Sequence, residues 1–214
     1  MEDTYRHKGL RRLLVEEIAG KGITDEKVLE AIGKVPRHAF IRDSALIQFA
    51  YQDQAFPIGA GQTISQPYTV AFQTQLLQVN SFDKILEIGT GSGYQAAILC
   101  EMGARVYTIE RQRELHVKAQ QLLGKMGYKL HFYYGDGYAG LPAYAPFDKI
   151  LVTAGADKIP DTLVQQLKTG GRMVIPVGNS EQQKMILIEK ISETETTVTQ
   201  HGTFAFVPFL KGKA

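Results

Sequence analysis

The run Gly89-Thr90-Gly91-Ser92-Gly93 follows a short apolar segment, Ile85-Leu86-Glu87-Ile88, that is interrupted only by an acid. Glycines at such a turn let the backbone approach a ligand closely. Their spacing is G-x-G-x-G, not the G-x-G-x-x-G of a pyrophosphate loop. Glu87, just before the loop, would repel a pyrophosphate and suits a ligand that carries an amino group. Glu110 closes the next apolar run, about twenty residues on, where a ribose-binding carboxylate is expected. Asp136, between Gly135 and Gly137, closes a third. Its carboxylate can accept from an adenine amino group while the Gly137 backbone approaches the ring. Each signal has a plain counterpart. The glycines could make a bare strand-to-helix turn, Glu110 belongs to a charged cluster, and a glycine-flanked Asp is an ordinary turn residue. In order at three successive strand ends they are far more specific than any one alone.

A second group lies upstream, in Thr63-Ile64-Ser65-Gln66-Pro67-Tyr68. Pro favours the first helical position, which puts Ser65 near a helix N-terminus. Ser65 could cap that helix, worth about 1 kcal/mol. It could also donate its hydroxyl to an anionic substrate, helped by the exposed N–H groups there. A carboxylate acceptor, with a pKa of about 4, is already ionised at neutral pH and needs no general base. None of the five histidines falls in either group, and no His/Cys cluster shows metal-ligand spacing. Cys100, the only cysteine, sits in the apolar run Ala96 to Cys100 and is expected to be a buried, unreactive thiol.

Elements able to position these residues can be read from the pattern. Leu10, Leu13, Leu14 and Ile18 recur at helical spacing, and Gly20 and Gly22 close that segment. Thr24 is placed to cap a second helix that ends before Pro36. The stretch from Pro57 to Gly61 reads as an irregular loop, followed by a helix from about Pro67 to Val79. From Lys84 onward, strands and helices alternate through strands near 85–88, 105–109, 130–134, 149–153 and 173–177. This pattern predicts a doubly wound, mostly parallel α/β sheet with helices on both faces. A late hairpin over 185–200 and a final strand from Phe204 to Phe209 add antiparallel strands at the C-terminal edge. Residues 1–80 form a helical extension with a substrate loop, and 81–214 the ligand-binding core, in one compact unit.

The chain has 214 residues and is 44% hydrophobic, enough for a sizeable core without metals or disulfides. A net charge of +2 with dispersed Lys and Arg gives no reason to expect nucleic acid or an anionic membrane as partner. No signal-peptide core or membrane-length apolar run is present. The expectation is a cytoplasmic monomer.

With its three strand ends, the chain resembles the S-adenosylmethionine-dependent methyltransferases, and Leu167 to Ile175 looks like that class's late glycine turn and fifth strand. The block Thr63-Ile64-Ser65-Gln66-Pro67 and its glycine-rich lead-in resemble the protein-L-isoaspartate O-methyltransferase family. The likeness extends to Val35-Pro36-Arg37-His38-Ala39-Phe40, Phe147 to Ala154 and Phe206-Val207-Pro208-Phe209. It implies a seven-stranded Rossmann-like core, S-adenosyl-L-methionine as cofactor and S-adenosyl-L-homocysteine as product. It also implies repair: methylation of the isoaspartyl carboxylate of damaged proteins and peptides, with return through a succinimide towards aspartate. The cofactor residues implied are Thr63, Ile64, Ser65, Glu87, Gly89, Thr90, Gly91, Ser92, Gly93, Glu110, Asp136 and Gly137. Ser65 would be catalytic, with Gln66, Pro67, Tyr68 and Val207 also meeting the substrate. A methyltransferase for another acceptor, a non-catalytic binding protein and a nicotinamide-dependent oxidoreductase remain alternatives from the residues alone.

Overall fold

The computed structural model describes residues 2–214. The N-terminal region contains α1 (Tyr5–Gly20), α2 (Glu26–Lys34), α3 (Ser44–Ile47), the strands β1 (Phe56–Gly59) and β2 (Gln62–Ile64), and α4 (Pro67–Leu77). The core follows as β3 (Lys84–Ile88), α5 (Tyr94–Glu101), β4 (Arg105–Glu110), α6 (Arg113–Lys125), β5 (His131–Tyr134), β6 (Phe147–Val152), α7 (Asp161–Gln165), β7 (Leu167–Gly178), β8 (Gln183–Lys190) and β9 (Thr196–Phe204).

Seven strands form one sheet in the order β5-β4-β3-β6-β7-β8-β9. The first five are parallel, while β8 runs antiparallel to both neighbours. The chain departs from β3 first to one side and later to the other, so the strand order reverses at β3. The crevice beyond the carboxyl ends there is where such sheets bind ligands.

Side-chain alternation along β3 divides the core. Ile85 faces the larger cluster, which includes Val70, Ala97, Leu99 and Leu123 from α4, α5 and α6. Leu86 and Ile88 face a second cluster with Leu163 of α7, Leu167 and Ile175. Val28 and Ile32 of α2 and Leu14 and Ile18 of α1 join the larger cluster, so the N-terminal helices share the core's apolar interior. Leu13 instead points outward and is 55% exposed.

Three local expectations need correction. The cap of α2 is Asp25, not Thr24; its carboxylate accepts from the N–H groups of Lys27 and Val28. Thr24 instead donates its backbone N–H to Gln75. The stretch from Pro57 to Gly61 is not irregular: it belongs to an antiparallel hairpin in which Phe56 pairs with Ile64. Positive φ angles at Gly59, Ala60 and Gly61 make its tight turn. Phe204 to Phe209 is not a separate strand either. Phe204 ends β9, and the following residues cross the strand ends, where Gly155 donates its N–H to the Val207 carbonyl and accepts the N–H of Phe209. No helix among the described residues is long and apolar enough to cross a membrane.

Candidate active site

The glycine loop and the residues crossing the strand ends form the walls of a cleft that opens to solvent. Thr63, Ile64, Ser65, Gly89, Thr90, Gly91, Ser92, Glu110, Gly137 and Val207, all expected from the sequence, lie on its wall. The loop is built by close packing. Gly89 has φ of 95°, and a Cβ there would fall 2.5 Å from the Thr153 hydroxyl. That hydroxyl donates to the carbonyls of Ile88 and Gly89 at 2.9 and 2.8 Å. Glu110 reaches back from β4. One carboxylate oxygen accepts from Gly91 N–H and the other from Gln112 N–H, both at 2.8 Å.

Six expected residues do not line this cleft; Gln66 and Tyr68 border a second cavity, and Glu87, Gly93, Asp136 and Pro67 line neither. Alternation in β3 sends Glu87 to the same face as Ile85, beneath the loop, where it is fully buried. Thr108 donates to one of its oxygens at 2.5 Å, and the Thr90 and Thr108 hydroxyls lie 2.6 Å apart. Burial raises the Glu87 carboxyl to about 8, against the lowering effect of the Thr108 hydrogen bond. Gly93 caps α5 in the left-handed conformation, packed against Leu123. Asp136 accepts from the N–H groups of Tyr138 and Gly212, so its carboxylate serves the turn and the chain end. Pro67 is the first helical residue of α4 and is buried.

The second cavity adjoins the first. Its wall includes Gln66, Tyr68, Phe204 and Phe206, and it shares Thr63, Ser65, Thr153 and Val207 with the cleft. The Thr153 hydroxyl is committed to its two carbonyls. Among the described residues, the Ser65 hydroxyl makes no hydrogen bond, and it does not cap α4. The N-cap residue is Gln66, which provides no side-chain cap, and the Tyr68 N–H is taken by Asp53 at 2.7 Å. Gln66 is itself tethered, donating to Asp53 and accepting from Thr69. The Val207 carbonyl is already used by Gly155.

Sequence reasoning passed over Tyr94, Gln95, Arg111 and Leu210, which also line the cleft, while Phe209 lies in a segment whose likeness to the family it did note. Tyr94 was visible as the residue after the glycine loop. Arg111 and Leu210 carry no motif and reach the cleft only through tertiary packing. Burial pushes the Cys100 thiol up to about 12, which leaves it un-ionised and unreactive near neutral pH. The fold also brings donor atoms of Asp3, His7 and His38 within 4.8 Å of one another, a grouping that sequence spacing did not reveal. They already have protein partners. Asp3 pairs with Arg11, His7 accepts from Thr4 N–H, and His38 shares a 2.7 Å hydrogen bond with Tyr51.

The family model for protein-L-isoaspartate(D-aspartate) O-methyltransferase matches residues 10–214. A protein-L-isoaspartate O-methyltransferase of Christiangramia forsetii is 57% identical over the full length of both chains. One from Flavobacterium psychrophilum is 58% identical, again over all of both chains. A solved protein-L-isoaspartate O-methyltransferase superposes with a TM-score of 0.84 at 28% identity, covering 92% of this chain and 65% of that longer one. A Plasmodium falciparum structure described as a beta-aspartate methyltransferase, in complex with S-adenosyl-L-homocysteine, gives a TM-score of 0.82. It is 22% identical and covers 94% of this chain and 99% of its own, a likeness of fold.

Proposed function

The chain belongs to the protein-L-isoaspartate(D-aspartate) O-methyltransferase family, and from that premise we propose the roles its residues take in repair methylation. The cofactor is S-adenosyl-L-methionine, which supplies a methyl group to the free carboxylate of an isoaspartyl residue and leaves as S-adenosyl-L-homocysteine. The cleft suits such a molecule. It offers a glycine backbone open to close approach, a carboxylate at Glu110, and apolar walls from Ile88, Ile109 and Phe209.

The observation that carries the reading is the place of Ser65. It lies on the wall between the two cavities with its hydroxyl uncommitted, so it can donate to an acceptor carboxylate in the second cavity while that group faces the first. Thr63 and Ile64 continue the same wall. Gln66, Tyr68 and Val207 border the space for the peptide, with Gln66 tethered to Asp53, and Pro67 starts α4 behind them. Thr90, Gly91, Ser92 and Gly137 surround the cofactor. Glu87, Gly93 and Asp136 support that wall from outside the cleft. The acceptor is ionised at neutral pH, so the residues need only position it. Holding two reactants in line can contribute about 7–11 kcal/mol at the upper end. The following backbone nitrogen then attacks the ester carbonyl and expels methanol, giving a succinimide that water reopens in part to aspartate.

We also assign residues 1–80 to acceptor-side support and 81–214 to the cofactor core, working as one unit. The shared apolar interior of α1, α2 and the sheet supports that assignment. A net charge of +2 favours a protein without nucleic-acid or membrane partners, and a single cysteine suits the cytoplasm; we propose a monomer there.

The decisive test is methyl transfer from radiolabelled S-adenosyl-L-methionine to an isoaspartyl peptide and to its normal aspartyl twin. Labelling of the first alone is expected. Equal labelling of both peptides would defeat the repair reading.

A further inference from the structure

The acceptor-side loop is held by a carboxylate that lies outside both cavities. The Asp53 side chain is 3% exposed. One oxygen accepts the Tyr68 N–H at 2.7 Å. The other accepts from the Gln66 side-chain amide at 2.9 Å and from Lys21 at 2.7 Å. The Tyr68 N–H is one of the donors that a helix start leaves without an internal partner. Gln66 gives it no cap. Asp53 therefore caps α4 from a different segment, and its negative charge complements the helix dipole there.

The segment bearing Asp53 is itself pinned. Arg37, fully buried, donates to the carbonyls of Ala50 and Gln54 at 3.0 and 2.9 Å, on either side of Asp53. The same guanidinium lies 4.9 Å from the centre of the Tyr94 ring, and Tyr94 is part of the cofactor cleft wall. One line of contacts thus joins the cleft to Arg37, then to residues 50–54, then through Asp53 to Gln66 and the start of α4. Ser65 is the next residue in the chain.

The geometry points to Asp53 as a positioning residue for methyl transfer: by fixing Gln66 and the first turn of α4, it aims Ser65 at the boundary of the two cavities. The assignment rests on the methyl-transfer reading of Ser65. It also changes how the acceptor is bound. With the Tyr68 N–H already taken by Asp53, the acceptor carboxylate relies on the Ser65 hydroxyl and neighbouring loop groups.

The test compares Asp53→Ala, Asp53→Asn and Lys21→Ala, each assayed well below its melting temperature and normalised to S-adenosyl-L-homocysteine binding sites. Loss of hydrogen bonds from a charged acceptor predicts a fall of about thirtyfold in kcat for an isoaspartyl peptide in D53A, with cofactor-product affinity within about twofold. Asn keeps an acceptor for Tyr68, so D53N should fall only about threefold to tenfold. K21A leaves both bonds to α4 in place and should stay within about twofold. Amide hydrogen exchange at Tyr68 should speed up in D53A and stay slow in K21A.

Parental kcat in D53A, a matching loss of cofactor-product affinity, or an equal loss in K21A would overturn the assignment. If D53A does not fold, D53N decides, and parental turnover there overturns it. A parent enzyme that labels no isoaspartyl peptide would defeat the functional reading alone. Tyr68 exchange would still report on the hold, and unchanged exchange in D53A would count against it.

Discussion

The carboxylate of Glu110, at the end of β4, accepts the backbone N–H of Gly91 at 2.8 Å. An acid on one strand thereby sets the glycine loop that follows another. Its second oxygen takes the N–H of Gln112, so both oxygens are engaged. Glu110→Gln keeps the size but turns an NH₂ group toward one of those donors. A lost charge-assisted hydrogen bond and an unsatisfied donor together cost about 1–3 kcal/mol. S-adenosyl-L-homocysteine affinity should fall roughly tenfold to a hundredfold by calorimetric titration. Wild-type affinity in this variant would show that the hold on Gly91 has no bearing on cofactor binding.

Ser65→Ala removes the hydroxyl that faces both cavities and leaves the helix cap with Asp53 untouched. A hydrogen bond to a charged group contributes about 1.5–3 kcal/mol, so kcat/KM for an isoaspartyl peptide should drop roughly tenfold to a hundredfold. Melting temperature and cofactor-product affinity should barely move. Steady-state methylation at parental rates would remove Ser65 from the reaction.

Gly89→Ala adds a Cβ at a φ of 95°, 2.5 Å from the Thr153 hydroxyl. The backbone strain costs about 1–2 kcal/mol and the overpacking about 1–3 kcal/mol. For a domain of this size the melting temperature should fall by roughly 5–15 °C. Thermal unfolding of G89A together with Thr153→Ala separates the two contributions. If Thr153→Ala restores nothing, the contact is not part of the penalty.

Burial raises the Glu87 carboxyl from 4.5 to about 8. One of its oxygens has no partner among the described residues, and an ionised oxygen there would lack solvation. The folded protein therefore favours the acid form. Its contribution to stability is fully present below about 4.5 and is lost as the pH rises through about 8. Glu87→Gln stays neutral throughout. Relative to the parent, its stability and melting temperature should rise progressively across this window, the stability by on the order of a few kcal/mol at most. Parallel melting curves for the two proteins from pH 5 to pH 8.5 would rule out a buried acid of this kind.

The strand ends were legible because their chemistry and spacing are local. Gly89 to Gly93, Glu110 and Gly137 each follow an apolar run, and a parallel sheet gathers such ends at one crevice. The direction of Glu87 was available from the same strand, since a period of two turns it with Ile85 and away from the crevice. The β1–β2 hairpin was missed because Gly59 and Gly61 are as much at home in an irregular loop as in a tight turn. Phe204 to Phe209 has strand-like composition, yet its pairing is with Gly155, a partner no local pattern could name. Asp53 was the least legible. It lies between two glutamines in an unremarkable loop, and its role depends on a helix that begins fourteen residues later.

Residues 207–210, which cross the strand ends at Gly155, furnish part of the cleft wall. Two backbone hydrogen bonds to Gly155 hold that segment against the sheet. The cleft is therefore walled on one side by a strap rather than by a strand or helix, and loosening the strap would open the cleft to water while leaving the glycine loop, Glu110 and the Ser65 block in place.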